Sequence, residues 1–294
     1  MNQHQELVTV IISSYNHGPY IEACIHSILN QTHPHVELLV IDDGSTDDSV
    51  ERIRRLQAEH GFDFKEQQNQ GLTHTLNAAI KRAKGSLIVP FSSDDIMLTE
   101  RLARQVAYMQ DKPDVGICAG NIELIDAAGE LFPEKRQRRH VPFRRLDFED
   151  VFMERKPYPP APTLMFRKEA LAKVGGFDPE IRLEDLLIEL KITHAGYYID
   201  CLGEVLARYR KHASNSYKNH RFMIESILKT YALFREHPQY DWVRYRFLNS
   251  MFLKCSNRDR GLARELLAQI PFKRWSKKTW RGLMRLYLSP LERG

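Results

Sequence analysis

Three short apolar runs constrain this chain more than anything else in it: residues 7–14 (LVTVIISS), 36–41 (VELLVI) and 86–91 (SLIVPF). Each is rich in Val, Ile or Leu and continuous rather than alternating, which is the pattern of a strand covered on both faces. Between them apolar residues recur at helical spacing. Ile21, Cys24, Ile25, Ile28 and Leu29 follow the first run, and Leu72, Leu76, Ala79, Ile80 and Ala83 precede the third, with Gly85 as a C-terminal stop. A further helix is expected from about Asp47 to Glu59. Strands alternating with helices of this length predict βαβ units and an α/β fold with a mostly parallel sheet.

Beyond the third run, residues 100–110 read as helix and 115–125 as strand. The segment 133–162 carries a basic cluster (Lys135, Arg136, Arg138, Arg139, Arg144, Arg145) and then prolines at 157, 159, 160 and 162. It predicts an irregular loop over a site. A short strand near 163–167 and a helix from about Glu184 follow, and from Phe222 the pattern is helical with breaks near Pro238, Asn257, Pro271 and Pro290.

At 294 residues the chain is long enough for a large α/β domain, or a core domain plus an appendage. No apolar run approaches the roughly 18 residues of a membrane span. The N-terminus shows neither a basic region nor an apolar leader, so no signal peptide is expected. Cys24, Cys118, Cys201 and Cys255 lie far apart, without metal or redox spacing, which suits a reduced cytoplasmic compartment. Charge is unevenly placed. Residues 206–294 hold 20 Lys and Arg against 6 Asp and Glu, whereas residues 1–205 hold 23 against 32. An acidic front suits a cationic centre, and a basic tail suits a polyanion or an anionic membrane.

The chemistry-bearing residues stand where such sheets bind ligands, beyond the carboxyl ends of strands. Asp42 and Asp43 end the second run, and Asp94 and Asp95 follow the third. Paired carboxylates are costly unless a cation neutralises them, and hard oxygen ligands suit Mg²⁺ or Mn²⁺ shared with substrate phosphates. Turn and capping chemistry is the plainer account of an Asp at such a place. No glycine-rich dinucleotide fingerprint, Walker loop, HExxH or GxSxG elbow is present.

Several ordered segments together resemble the family 2 glycosyltransferases of GT-A fold: VTVIISSYN (8–16), SILNQTHPHVELLVIDDGSTDDS (27–49), NQGLTHTLNAAIKRAKG (69–85), SSDD (92–95), GGFDPEIRLEDLLIEL (175–190) and YRKH (209–212). The resemblance runs from about residue 7 to 216. It implies a Rossmann-like GT-A domain over residues 1–216 and leaves 217–294 as a basic helical extension. By resemblance, Ser13, Tyr15 and Asp43 line the base and ribose of a nucleotide, the segment Asn69 to Asn77 lies against it, and Ser93 belongs to the same substrate wall. Asp94 and Asp95 match the metal motif, with Ser92 where the family usually has its first Asp. Which of the two binds the cation directly stays open. His212 matches a late metal ligand. Glu184 and Asp185 match the acceptor-side pair, with Asp185 as general base, and a helix N-terminus would help keep that carboxylate ionised.

The resemblance implies a Mn²⁺- or Mg²⁺-dependent inverting transfer of a sugar from a nucleotide-diphosphate donor to a glycan or lipid-linked glycan acceptor, in bacterial surface polysaccharide synthesis. The rival reading is a degenerate, non-catalytic member that binds nucleotide or scaffolds other enzymes, for which Ser92 is the supporting feature. A nucleic-acid partner is not expected, because the basic tail has neither a zinc-ligand pattern nor a sustained leucine zipper. In that tail Trp280, Leu283, Met284, Tyr287, Leu288 and Leu291 fall on one helical face, flanked by Arg274, Lys278, Arg281 and Arg285. Such a helix either lies on the inner face of the cytoplasmic membrane or packs its stripe on the catalytic domain.

Overall fold

The computed structural model describes residues 6–181, 183–213 and 219–288. Contacts divide the chain into two compact units, Met1–Ala213 and Ser214–Gly294.

The first unit is built on one mixed sheet. Its first half is parallel and uses the three runs identified above: β1 (Val8–Ser14), β2 (Val36–Asp42) and β4 (Leu87–Ser92), with β3 (Asp63–Glu66) at the edge. Helices α1 (Gly18–Leu29), α2 (Ser49–His60) and α3 (Leu72–Arg82) make the crossovers. β1 is flanked by β2 and β4, so Val8, Val10, Ile11 and Ile12 are fully buried. Each such side chain contributes about 1.5–3 kcal/mol by leaving water. Register brings the ends of the strands level: Ser14 pairs with Asp42 and Ser13 with Ser92. That alignment, rather than any one residue, puts the polar strand ends on one rim.

The other half is mixed. The sheet order is β3-β2-β1-β4-β8-β6-β9-β5, with β5 (Ile96–Met97), β6 (Val115–Ile125), β8 (Met165–Arg167) and β9 (Tyr198–Arg210). β8 runs antiparallel to both β4 and β6, while β6 and β9 are parallel. Helix α4 (Arg101–Met109) crosses between β5 and β6. The segment 133–162 is more ordered than its composition suggests. β7 (Arg144–Leu146) pairs antiparallel with β9. Asp147 then caps α5 (Phe148–Phe152) through a reciprocal capping box with Asp150. Arg145 is spent structurally. Its guanidinium grips both oxygens of the fully buried Asp200, at 2.8 and 2.7 Å. The sequence pattern also passes over β3 and β9: β3 is an exposed polar edge, and β9 mixes Glu204, Arg208 and Arg210 with its apolar residues. Helices α6 (Lys168–Lys173) and α7 (Glu184–His194) complete the unit.

The second unit contains α8 (His220–Ala232), α9 (Tyr240–Cys255), α10 (Arg260–Ala268) and α11 (Lys277–Leu288). Its core joins Ile224, Leu248, Phe252, Leu262, Leu266 and Leu286. Gly282 permits the close approach of α11 to α9: a Cβ there would sit 2.5 Å from the Phe252 ring. The buried face of α11 is therefore Thr279, Gly282 and Leu286, with Leu283 at its margin. Trp280, Met284, Tyr287 and Leu288 are exposed. The expected stripe is thus split between the core of the second unit and its surface. Leu291 lies outside the described residues. No helix among the described residues is long and apolar enough to cross a membrane. All four cysteines are buried and free.

Candidate functional site

The rim formed by β1, β2 and β4 carries three turns that tie one another down. After β1, Asn16 adopts a left-handed φ of 53°, and its side-chain carbonyl accepts from the Thr46 N–H at 2.8 Å. After β2, the Asp42 carboxylate accepts from the Ser45 N–H at 2.8 Å and from its hydroxyl at 2.7 Å. The Asp43 carboxylate accepts from the Gln70 and Gly71 N–H groups at 2.9 and 2.8 Å and from the Gln67 amide at 2.9 Å. It thereby anchors the chain entering α3. Ser13 is half-buried at the end of β1, and Tyr15 and Asn69 are exposed.

After β4, Ser93, Asp94 and Asp95 are all buried. They diverge in role. The Ser93 hydroxyl meets His17 Nδ1 at 2.7 Å. Asp94 Oδ2 lies 2.8 Å from His212 Nε2, at the end of the strand-and-turn that β9 delivers. His17, Asp94 and His212 each offer a ligand atom, and these lie within 4.8 Å of one another. The Tyr20 ring closes the group, its centroid 5.0 Å from that of His212 and 6.0 Å from that of His17. Asp95 stands outside the cluster. Its Oδ1 accepts from the Arg210 N–H at 2.8 Å, and its Oδ2 is buried without a partner. Burial, and then the Asp94 charge, push its carboxyl well above the usual range, against the pull of Arg210 and Arg101. The Arg210 guanidinium in turn donates to the Asp94 carbonyl at 2.7 Å and holds the turn from behind.

His17 has no counterpart in the sequence reading. It is a lone histidine in a turn, and only the meeting of β1, β4 and β9 shows what faces it. Burial lowers its pKa, with the Asp94 carboxylate working the other way. A histidine kept neutral is one ready to bind a cation. A cluster of two imidazoles and one carboxylate is a donor set that fits a divalent ion.

Glu184 and Asp185 open α7, half-buried. The turn ahead of them is held from α3. Asn77 donates to the Phe177 carbonyl at 2.7 Å and accepts from the Phe177 N–H at 3.0 Å. Asn77 is thus engaged by protein at both ends of its amide. Gly176 adopts a φ of 72°, and a Cβ there would meet Asn77 Oδ1 at 2.7 Å. The chain Asp43–α3–Asn77–Phe177 therefore couples the β2 rim to the start of α7. Asp185 accepts from the Leu186 N–H at 2.8 Å, as a first-turn carboxylate should. Burial outweighs that hydrogen bond in setting its pKa. Burial raises the carboxyl of Asp185, and burial followed by the neighbouring Asp185 charge raises that of Glu184.

Known proteins share the family and the fold of this chain. The glycosyl transferase family 2 model matches residues 9–175. The chain is 30% identical over 221 residues to the O-antigen biosynthesis glycosyltransferase WbnJ of Escherichia coli, covering 73% of this chain and 83% of that one. It is 34% identical over 105 residues to the UDP-Glc:alpha-D-GlcNAc-diphosphoundecaprenol beta-1,3-glucosyltransferase WfaP of Escherichia coli, covering 36% of this chain and 42% of that one. The fold resembles the mannosyltransferase PcManGT from Pyrobaculum calidifontis, solved with GDP-Man and Mn²⁺, with a TM-score of 0.63 at 20% identity over 97% of this chain and 87% of that one. With strand order, acidic turn and family model in agreement, this chain belongs to glycosyl transferase family 2 and has its GT-A fold.

Proposed function

We propose that the chain transfers one sugar, with inversion, from a nucleotide-diphosphate donor to a hydroxyl of a bacterial surface glycan or its lipid-linked precursor. The observation that carries this reading is the convergence of His17, Asp94 and His212 on the rim where β1 and β4 end. These three residues would hold a divalent cation, which when bound supplies Lewis-acid stabilisation of the charge on the leaving diphosphate. Two imidazole nitrogens beside one carboxylate suit a transition ion such as Mn²⁺ better than Mg²⁺. Ser13, Tyr15, Asp43 and Asn69 would border the nucleotide, with Ser93 orienting His17. Asp185 takes the proton of the acceptor hydroxyl as its oxygen attacks the anomeric carbon and the bond to the diphosphate breaks. Burial suits it to this task, because a carboxylate of raised basicity is a better general base. Glu184 beside it contacts the acceptor, and Asn77 keeps the turn before α7 in place. A thermal-shift screen of nucleotide sugars with Mn²⁺ tests the reading: a binding donor raises the melting temperature by mass action. No shift with any of them, together with no metal-dependent donor hydrolysis, would favour a non-catalytic role.

We further propose that the second unit binds the membrane surface reversibly. Phe272, Trp280, Met284, Tyr287 and Leu288 are exposed, 54% in the case of Trp280 and 77% in the case of Leu288. Lys273, Lys277, Lys278, Arg281 and Arg285 surround them and are exposed as well. Exposed aromatic and aliphatic side chains ringed by cations are the composition of an interfacial helix, and anionic lipid adds about 1 kcal/mol per basic residue near the surface. Cosedimentation should show salt-sensitive binding to anionic vesicles that is reduced by Trp280→Ser with Met284→Ser. Equal binding to neutral and anionic vesicles, or none to either, would refute it.

A further inference from the structure

A cavity lies between β6 and the segment that leads into β7. Its volume is about 270 Å³, and Asn121, Arg138, Arg139, Arg144, Tyr158 and Pro160 are among the residues that line it. This is smaller than the roughly 300–1,000 Å³ that holds a whole small molecule. Three arginines line it, and no Asp or Glu is among its lining residues.

Arg144 is the informative one. It is only 9% exposed. Its Nε donates to the Pro157 carbonyl at 2.8 Å and one terminal nitrogen to the Tyr158 carbonyl at 3.1 Å. The other, Nη1, is buried with no partner. A guanidinium withdrawn from water and left with an unused donor is costly unless an anion comes to it. The fork is aimed by backbone carbonyls, and the strand pairing of Arg144 with Cys201 fixes its base. The loop carrying Arg138 and Arg139 is pinned at Val141, whose N–H and carbonyl both bond the Asn121 amide, at 3.0 and 2.9 Å. Arg138 and Arg139 are exposed, able to swing onto an incoming anion.

Position narrows the anion. Asn121 and Ile125 are on β6, and Ile125 pairs with Arg210, which braces the Asp94 turn. Four residues of strand, roughly 13 Å, thus separate the pocket residue Asn121 from the strand end that meets the Arg210 brace. We propose that this pocket binds a phosphate or diphosphate ester on the acceptor, through Arg138, Arg139 and Arg144, and so recognises a lipid-linked acceptor by its charged head rather than by its sugar. Planar forked donors are the side chains best matched to phosphate oxygens. The proposal rests on the transferase reading above.

Two measurements on the full chain separate the outcomes. The first is calorimetric titration with inorganic pyrophosphate in EDTA, so that no cation can recruit it to the nucleotide rim. Arg144→Gln, and separately the exposed pair Arg138→Gln with Arg139→Gln, should weaken binding by about tenfold or more. The exposed pair carries the test if the buried variant does not fold. Wild-type affinity in the exposed pair would overturn the proposal. The second is the KM for a saccharide acceptor on a lipid diphosphate against the same saccharide on an uncharged alkyl chain. The variants should raise the first KM by about tenfold and leave the second, the donor KM and kcat within about twofold. Weakened pyrophosphate binding with both acceptors unaffected would make the pocket a site for free anions and overturn the acceptor assignment. Failure of the transferase reading would show separately, as absent turnover in the wild type with pyrophosphate binding intact.

Discussion

An Asp185→Asn enzyme is expected to bind its nucleotide-sugar donor within a few-fold of the wild type while turnover falls by about 10²-fold or more, because general-base catalysis is typically worth about 10²–10⁴-fold. The substitution keeps the shape of the side chain and its hydrogen bond to Leu186. It removes the capacity to accept a proton from the acceptor. The same residue makes a pH prediction. Burial raises its carboxyl above the ordinary value, which is near 3.9 for Asp. The base form is therefore lost as pH falls through that raised pKa, and the acid limb of kcat/KM should lie above the range of an exposed carboxylate. Because Glu184 is raised as well, the limb belongs to the pair. Donor binding measured alongside turnover checks the first claim, and a pH–rate profile the second. Turnover near wild type in Asp185→Asn would move the base to Glu184.

Removing the cation cluster should be equally damaging but in a different parameter. For Asp94→Asn or His212→Ala, the tightening of UDP binding by Mn²⁺ should disappear and turnover should fall by about 10²-fold or more, since stabilising the leaving diphosphate is worth several kcal/mol. EDTA should do the same to the wild type. His17→Ala is expected to be milder and to change ion choice, weakening Mn²⁺ relative to Mg²⁺ as one nitrogen ligand is lost. Calorimetry with each ion and UDP reads all of these. Nucleotide affinity and turnover untouched by EDTA would eliminate the cation from the mechanism.

The parallel half of the fold was legible in the sequence because its strands are buried on both faces. Residues 7–14, 36–41 and 86–91 carry the pattern of short covered strands, and Asp42, Asp43, Asp94 and Asp95 were located by following those strands to their ends. The α7 start at Glu184 was equally plain, from first-turn acids and an apolar helix behind them. β9 was not legible. Its thirteen residues pair with β5, β6 and β7, and such a strand is specified by its neighbours more than by its own alternation.

The same reason separates what sequence could and could not say of the site. That Asp94 and Asp95 stand side by side is a property of the chain. That one faces two histidines while the other turns back to the Arg210 backbone is a property of where β9 lies. Likewise Asn77 could be placed on a helix near a nucleotide, but its grip on Phe177, a hundred residues away, exists only in three dimensions. A helix terminus favours a lowered pKa for Asp185, and the surrounding protein raises it instead, because desolvation depends on everything packed around a carboxyl rather than on its own helix. The basic cluster at 135–145 shows the limit most clearly. In sequence its arginines are alike, yet folding spends Arg145 on Asp200 and leaves Arg144 buried with a donor to spare. Residue type and local spacing determine which chemistry is available, and only the long-range pairing of strands decides which groups meet.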